Sequence, residues 1–247
     1  MIKEIKDQKM IEEKFKKFDK NNDYYGIYDQ DLLLDIFYLY NNSFHLENKY
    51  LSFNFKNSYK ENIFEDIKNI AKKPLQVMLY STDERVKELK ENGFINMRKC
   101  YEAEFSLKDL EENEFKDVRI NKTTKNTEKG NIISRLAYEH YKITHSSINP
   151  LTATFEQFKQ TLPGNIYYEE VNNEVINYTF IEENEICYFG TTKEETFKNF
   201  IYQIMLKKIN DYKEVFFEAD NTDQLAMILL SLFKNKKIDT FDTYILK

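Results

Sequence analysis

The chain has 247 residues, 41% hydrophobic and 32% charged, with a formal net charge of −6. That length suits one large or two small domains. The charge pattern excludes the basic stripe of a nucleic-acid binder, because the lysines are interleaved with aspartate and glutamate as on solvated helix faces.

No apolar run reaches the roughly 18 residues of a membrane helix, and Met1-Ile2-Lys3-Glu4 starts no signal peptide, so a cytoplasmic protein without membrane partners is expected. Cys100 and Cys187 stand alone and read as reduced thiols. Five glycines and three prolines argue against disordered linkers and against any motif built on several glycines, while 20 Phe and 18 Tyr can fill substantial cores.

In chain order, residues 2–5 read as a short strand, followed by a helix carrying Met10, Ile11, Phe15 and Phe18 and broken at Asn21-Asn22-Asp23. Residues 31–40, with Leu32, Leu33, Leu34, Ile36 and Phe37, read as a second helix, and residues 50–55 alternate as a strand. Ser58-Tyr59-Lys60-Glu61 has the form of a capping box ahead of a helix with Ile63, Phe64, Ile67 and Ile70, stopped by Pro74. A strand over 75–80 comes next. A second capping box, Ser81-Thr82-Asp83-Glu84, opens a helix with Val86 and Leu89 that ends at Gly93-Phe94, and a strand follows over 97–105. Residues 106–115 are polar and acidic, as a linker would be.

The second half restarts with a strand at 118–120 and a helix over 127–141 carrying Ile132, Ile133, Leu136 and Ala137. His145 and Asn149-Pro150 fall in a loop, and a shorter helix with Phe155 and Phe158 is ended by Pro163-Gly164. A three-strand meander follows, 166–171, 175–181 and 186–189, with turns at Asn172-Asn173 and Glu182-Glu183-Asn184. Then comes a helix striped by Phe197, Phe200, Ile201, Ile204, Met205 and Ile209, a strand over 215–219, a helix closing on Leu232-Phe233, and a terminal strand over 240–246. Strand, helix, Gly93-Phe94 and strand in the first half match strand, helix, Leu232-Phe233 and strand in the second, which reads as duplication of a whole domain. The fold class expected is α/β (α+β by strict count). Residues 1–106 form a first domain, shortened because 40–50 leaves little room for a meander; 107–115 link it to a complete domain at 116–247.

From Phe115 to Lys247 the element order resembles that of the GNAT N-acetyltransferase superfamily, and the run from Asn221 to Phe233 and Gly93-Phe94 add to the likeness. The resemblance implies two GNAT-like domains with acetyl-CoA as co-substrate. Backbone groups of Cys187, Tyr188, Phe189 and Gly190 would pair with the pantetheine arm; Thr191, Thr192, Lys193 and Thr196, with Asn221, would lie near the pyrophosphate. The family holds pyrophosphate through a motif of the form R/Q-x-x-G-x-G/A at a helix start, where small residues let amides approach the phosphates. Here Thr192, Glu195 and Phe197 occupy the positions of the Arg or Gln and the two small residues. Thr192-Lys193-Glu194-Glu195 reads instead as a capping box. A carboxylate about 6 Å from a phosphate charge at an effective dielectric near 20 costs about 3 kcal/mol.

The family's thiolate-protonating Tyr falls on Ile228 in the second half and Leu89 in the first, so neither half carries it. Asn221 matches the family's Asn, and an ordinary helix cap accounts for it. The remaining catalytic candidates are Glu185 at the head of its strand, Tyr188 on the meander, and Glu218 near the end of its strand. The acidic run from Glu218 to Asp223 suits a cationic amine or a solvated loop. His140 and His145 flank the segment that would cover a cleft, and no Cys or carboxylate stands at zinc-ligand spacing from them, so no metal is expected. Cys187 reads as an inert strand thiol. Two functions stay open: a CoA-dependent N-acetyltransferase of a small-molecule or protein amine, and a non-catalytic GNAT-like module that binds a small molecule or a protein partner. A third, transfer from an aminoacyl or other donor without CoA, lacks the basic RNA-facing surface such proteins show.

Overall fold

The computed structural model describes residues 1–56, 59, 62–111, 115–234 and 238–247. The chain divides into two compact units, residues 1–97 with 148–152 and 243–247, and residues 98–147 with 153–242.

The first unit contains β1 (Ile2–Glu4), α1 (Gln8–Phe15), β2 (Asp23–Asp29), β3 (Leu32–Asn42), β4 (His45–Phe53), α2 (Ile63–Ala71), β5 (Leu75–Tyr80) and α3 (Arg85–Glu91). Its strands lie in the order β1-β2-β3-β4-β5. The first four are antiparallel, and β4 pairs with β5 in parallel at Lys49↔Leu75 and Tyr50↔Gln76. The helix expected over 31–40 is strand β3. Its apolar run is continuous because both faces are covered: Ile36 packs with Ile11 of α1 on one side, and Phe37 and Leu39 join Phe64 and Ile67 of α2 on the other. A short run buried on both faces carries no period that separates strand from helix. The meander β2-β3-β4 is therefore complete, and what shortens this unit is a single helix ahead of it.

The capping box proposed at 58–61 lies outside the described residues. At 81–84 no box forms. The cap position of α3 is Glu84, without a side-chain bond, and Asp83 accepts the Arg85 N–H at 2.9 Å and holds its guanidinium at 2.7 Å. Residues 148–152 are stitched into this unit by buried amides. Asn48 Nδ2 donates to the Ile148 carbonyl and to Gln76 Oε1, both at 3.1 Å; Asn149 Nδ2 donates to the same Gln76 oxygen at 3.1 Å, and Asn149 O lies 2.6 Å from His45 Nδ1.

The second unit takes β6 (Ile95–Ser106) from Arg98 onward, then β7 (Asn121–Thr124), α4 (Glu128–His145), α5 (Phe155–Thr161), β8 (Asn165–Val171), β9 (Glu174–Glu182), β10 (Glu185–Thr191), α6 (Glu194–Tyr212), β11 (Glu214–Asp220), α7 (Gln224–Leu230) and the start of β12 (Thr240–Leu246). Its strands run β6-β11-β10-β9-β8-β7. The strand expected at 118–120 begins only at Asn121, because Val118 and Ile120 pack on the core without pairing. Asn172 and Asn173 form the hairpin turn with φ of 53° and 68°, the left-handed pair such a turn requires. Thr127 caps α4 through the Gly130 N–H, and Thr154 with Gln157 forms a true capping box on α5. Phe197, Phe200, Ile201 and Met205 of α6 are fully buried against Phe217, Ala219 and Leu229. Residues 107–109 form a 3-10 turn, and Leu110 is buried in this core.

Both units share one order: antiparallel meander, helix, a strand parallel to the last meander strand, helix. No helix among the described residues is long and apolar enough to cross a membrane.

Candidate functional site

In the second unit β10 and β11 are parallel neighbours only at Glu185↔Phe216 and Ile186↔Phe217. Beyond that, β10 stays paired with β9 to Thr191 and β11 stays paired with β6 to Asp220, so the two strands part. At the parting β10 bulges between Cys187 and Phe189, and Tyr188 sits at φ 23°, a conformation that costs a side-chain-bearing residue about 1–3 kcal/mol. A cavity of about 350 Å³ opens there, walled by β10, β11, α4 and the near ends of α5 and α7.

Strand alternation decides what faces it. Ile186, Phe217 and Ala219 point into the core. Glu185 and Cys187 of β10, Glu218 and Asp220 of β11, and Arg98, Cys100 and Glu102 of β6 share the other face by register. Glu218 lies directly opposite Glu102, a like-charge pairing that destabilises a sheet by itself. Carboxylates of Glu182, Glu185, Glu218, Asp220 and Asp223 line the cavity against Arg98 and two histidines. Arg98 Nη1 donates to Asp220 Oδ2 at 3.1 Å, and His145 Nε2 lies 3.7 Å from the same oxygen.

Glu218 reaches solvent through the cavity, yet the water it has lost and, after that, the Asp220 charge push its pKa up. Burial pushes the Cys187 thiol well above its ordinary range, with Glu185 adding to the effect, so it stays protonated and inert. Tyr188 packs edge-on against Phe158 at 5.4 Å. Burial raises its pKa despite a hydrogen bond with Thr161. His140 Nε2 lies 2.8 Å from Asp223 Oδ2, while Asp223 Oδ1 accepts the Leu225 N–H at 2.9 Å.

Of the residues singled out from sequence, Glu185, Cys187, Tyr188, Phe189 and Glu218 line this one cavity, together with His140 and His145 and, from the acidic run, Asp220 and Asp223. Gly190, Thr191, Thr192, Lys193, Thr196 and Asn221 do not. Gly190 is covered by Tyr178, whose hydroxyl would lie 2.1 Å from a Cβ placed there. The capping box at Thr192–Glu195 is absent: the cap position of α6 is Lys193, without a side-chain bond. The threonine hydroxyls are engaged elsewhere, Thr191 donating to Ile176 O and Thr192 to Val175 O, and Thr196 donating to Lys193 O. Nor does Asn221 cap α7. Its Oδ1 accepts the Lys99 N–H at 2.7 Å, and Asp223 is the cap. Arg98 escaped sequence reasoning because only its placement on β6, over a hundred residues from β11, brings it to Asp220; the His140–Asp223 pair had no local signal either.

No family model matches the chain, and no curated protein matches it. Solved structures do. A conserved protein of unknown function from Enterococcus faecalis V583, called a probable N-acyltransferase, superposes with a TM-score of 0.54 over 99% of this chain and 71% of its own, at 10% identity. A GCN5-related N-acetyltransferase from Sphaerobacter thermophilus gives a TM-score of 0.50 over 96% of this chain and 83% of its own, at 8% identity. The fold is that of the GCN5-related N-acetyltransferases, the GNAT fold.

Proposed function

We propose that the protein is a GNAT-type N-acyltransferase whose second unit binds a small cationic amine. The observation that carries this is the carboxylate-lined cavity at the parting of β10 and β11. Glu182, Glu185, Glu218, Asp220 and Asp223 bring their carboxylates to its wall, an arrangement that a bound ammonium would offset.

Acetyl-CoA fits the backbone of this region. The edge of β10 is released from β11 after Ile186, and α6 begins without a side-chain cap. Cys187 to Phe189 would hold the acyl arm, and the start of α6 with Lys193 the phosphates. Bound there, it would supply the acyl thioester that the amine attacks. Glu185 and Glu218 draw the ammonium in, and the raised pKa of Glu218 suits it to accept a proton as the carbon–nitrogen bond forms. Tyr188 keeps its proton at neutral pH and is an O–H donor in the wall.

A second reading, an amine-binding module without transfer, is favoured by Glu194 and Glu195 in the first turn of α6, which repel phosphate. Calorimetric titration with acetyl-CoA and with short alkylamines, alongside thiol release in their mixture, separates the two. Binding of both with thiol release supports acyl transfer. Amine binding without cofactor binding at millimolar concentration supports the module, and binding of neither refutes both.

A further inference from the structure

We propose that His140, held by Asp223, is a proton-accepting residue of this site. The inference rests on the acyl-transfer reading and goes beyond it. An alkylammonium loses two protons in becoming an amide: one ends on the departing thiol, and the other must leave the site. Glu218 accounts for one acceptor.

His140 stands in the cavity wall on α4 with its Nε2 2.8 Å from Asp223 Oδ2. Asp223 is itself fixed, because its other oxygen caps α7 through the Leu225 N–H. A carboxylate facing Nε2 selects the tautomer with the proton there and leaves Nδ1 as the accepting atom, the logic by which an acid orients a catalytic imidazole. His145 is placed differently. Its Nδ1 lies 3.1 Å from the Tyr141 carbonyl and its Nε2 faces Asp220. The remaining charged groups on the cavity are Arg98, paired with Asp220, and the acids Glu182, Glu185 and Glu218.

In the step assigned to His140, an N–H bond of the ammonium breaks and a bond from the proton to Nδ1 forms. The positive charge passes from the amine to an imidazolium lying against Asp223. The side chain is 29% exposed, which gives the proton a route to water. Asp223 is a positioning residue: it acts through the tautomer it imposes.

The test has three arms. Nitrogen-15 spectra of histidine-labelled protein show only three histidines, so the His140 signal is the one lost in His140→Gln; it should report Nε2 protonated and Nδ1 bare. In Asp223→Asn, which can still cap α7, the amide should turn the tautomer over. For turnover of propylamine, His140→Gln should lower kcat about a hundredfold with KM for the amine within about twofold, and added imidazole should restore kcat to His140→Ala. A proton found on Nδ1 of the wild type overturns the inference whatever the turnover. Unchanged kcat in His140→Gln, or equal losses in kcat and in amine binding without imidazole rescue, overturns it as well. Wild-type protein that binds propylamine but transfers nothing overturns the acyl-transfer reading and this role with it.

Discussion

Gly190 offers the sharpest physical test of the parted strands. Its φ is one that other residues adopt freely, and at such a position Gly→Ala ordinarily stabilises by about 0.4–1 kcal/mol through the unfolded chain. Here the added Cβ would lie 2.1 Å from Tyr178 Oη, 2.3 Å from Cζ and 2.6 Å from Cε1. Those distances are an ångström or so inside contact for carbon against carbon or oxygen. Tyr178 is only 3% exposed and packs edge-on to Phe180, so the ring has no open space to swing into. Overpacking of this kind costs about 1–3 kcal/mol, occasionally more. The overlap with a rigid ring places Gly190→Ala at the upper end, a net loss of about 2 kcal/mol after the chain-entropy gain. Urea denaturation at matched m-values measures it. The cause is checked by a double-mutant cycle with Tyr178→Leu, in which the two losses should fall short of additivity by about 1–3 kcal/mol. A Gly190→Ala midpoint equal to or above the wild type, or strict additivity, would show that Tyr178 does not close the space over Gly190.

Glu218→Gln should leave the protein more stable than the wild type at pH 7. The folded-state pKa of Glu218 is raised, so the folded protein binds an extra proton as pH falls. Its contribution is therefore favourable below the unfolded value and is lost as pH rises through the folded one. The advantage of Gln should shrink to nothing near pH 4 in urea melts, and be modest throughout because the side chain reaches solvent. Asn149→Ala should cost about 2–3 kcal/mol in the same assay, since it removes a donor to Gln76 and leaves the buried Asn48 N–H without the oxygen it meets at 3.3 Å. Residues 1–106 expressed alone should lack the dispersed amide spectrum of a folded protein. They are missing Tyr244 and Leu246 from the first unit's core, and the 148–152 segment that satisfies Asn48 and Gln76. A dispersed spectrum from that fragment would contradict the reasoning.

The second unit was largely legible because its elements are amphipathic with one exposed face, as in α6, or are separated by turn residues that permit only a hairpin, as at Asn172-Asn173. The first unit is less legible where burial on both faces removes the period. Leu32 to Leu39 form a strand because β2 and β4 flank them, a fact written in the tyrosines of 24–28 rather than in the run itself. At the site, Glu185, Cys187, Tyr188, Phe189 and Glu218 could be placed together because two strands of one βαβ unit deliver them. Arg98 and the pairing of His140 with Asp223 could not, since long-range pairing with β6 and the packing of α4 decide them. The start of α6 misled for a related reason. Thr192 has the right spacing for a cap, but its hydroxyl finds a carbonyl of the neighbouring strand β9 first, and local sequence does not record that competitor.

The membership of residues 148–152 and 243–247 in the first unit has a consequence for how the protein is made. A ribosome adding roughly 5–20 residues per second finishes residue 97 about 7–30 s before it reaches residue 243. Throughout that interval the first unit has its meander but not its last strand, and for about the first third of it Asn48 and Gln76 also lack Ile148 and Asn149. The amino-terminal portion must therefore wait, incompletely closed, until residues 243–247 have been made. Slowed synthesis through the second half should expose it to aggregation and proteolysis in proportion to the delay.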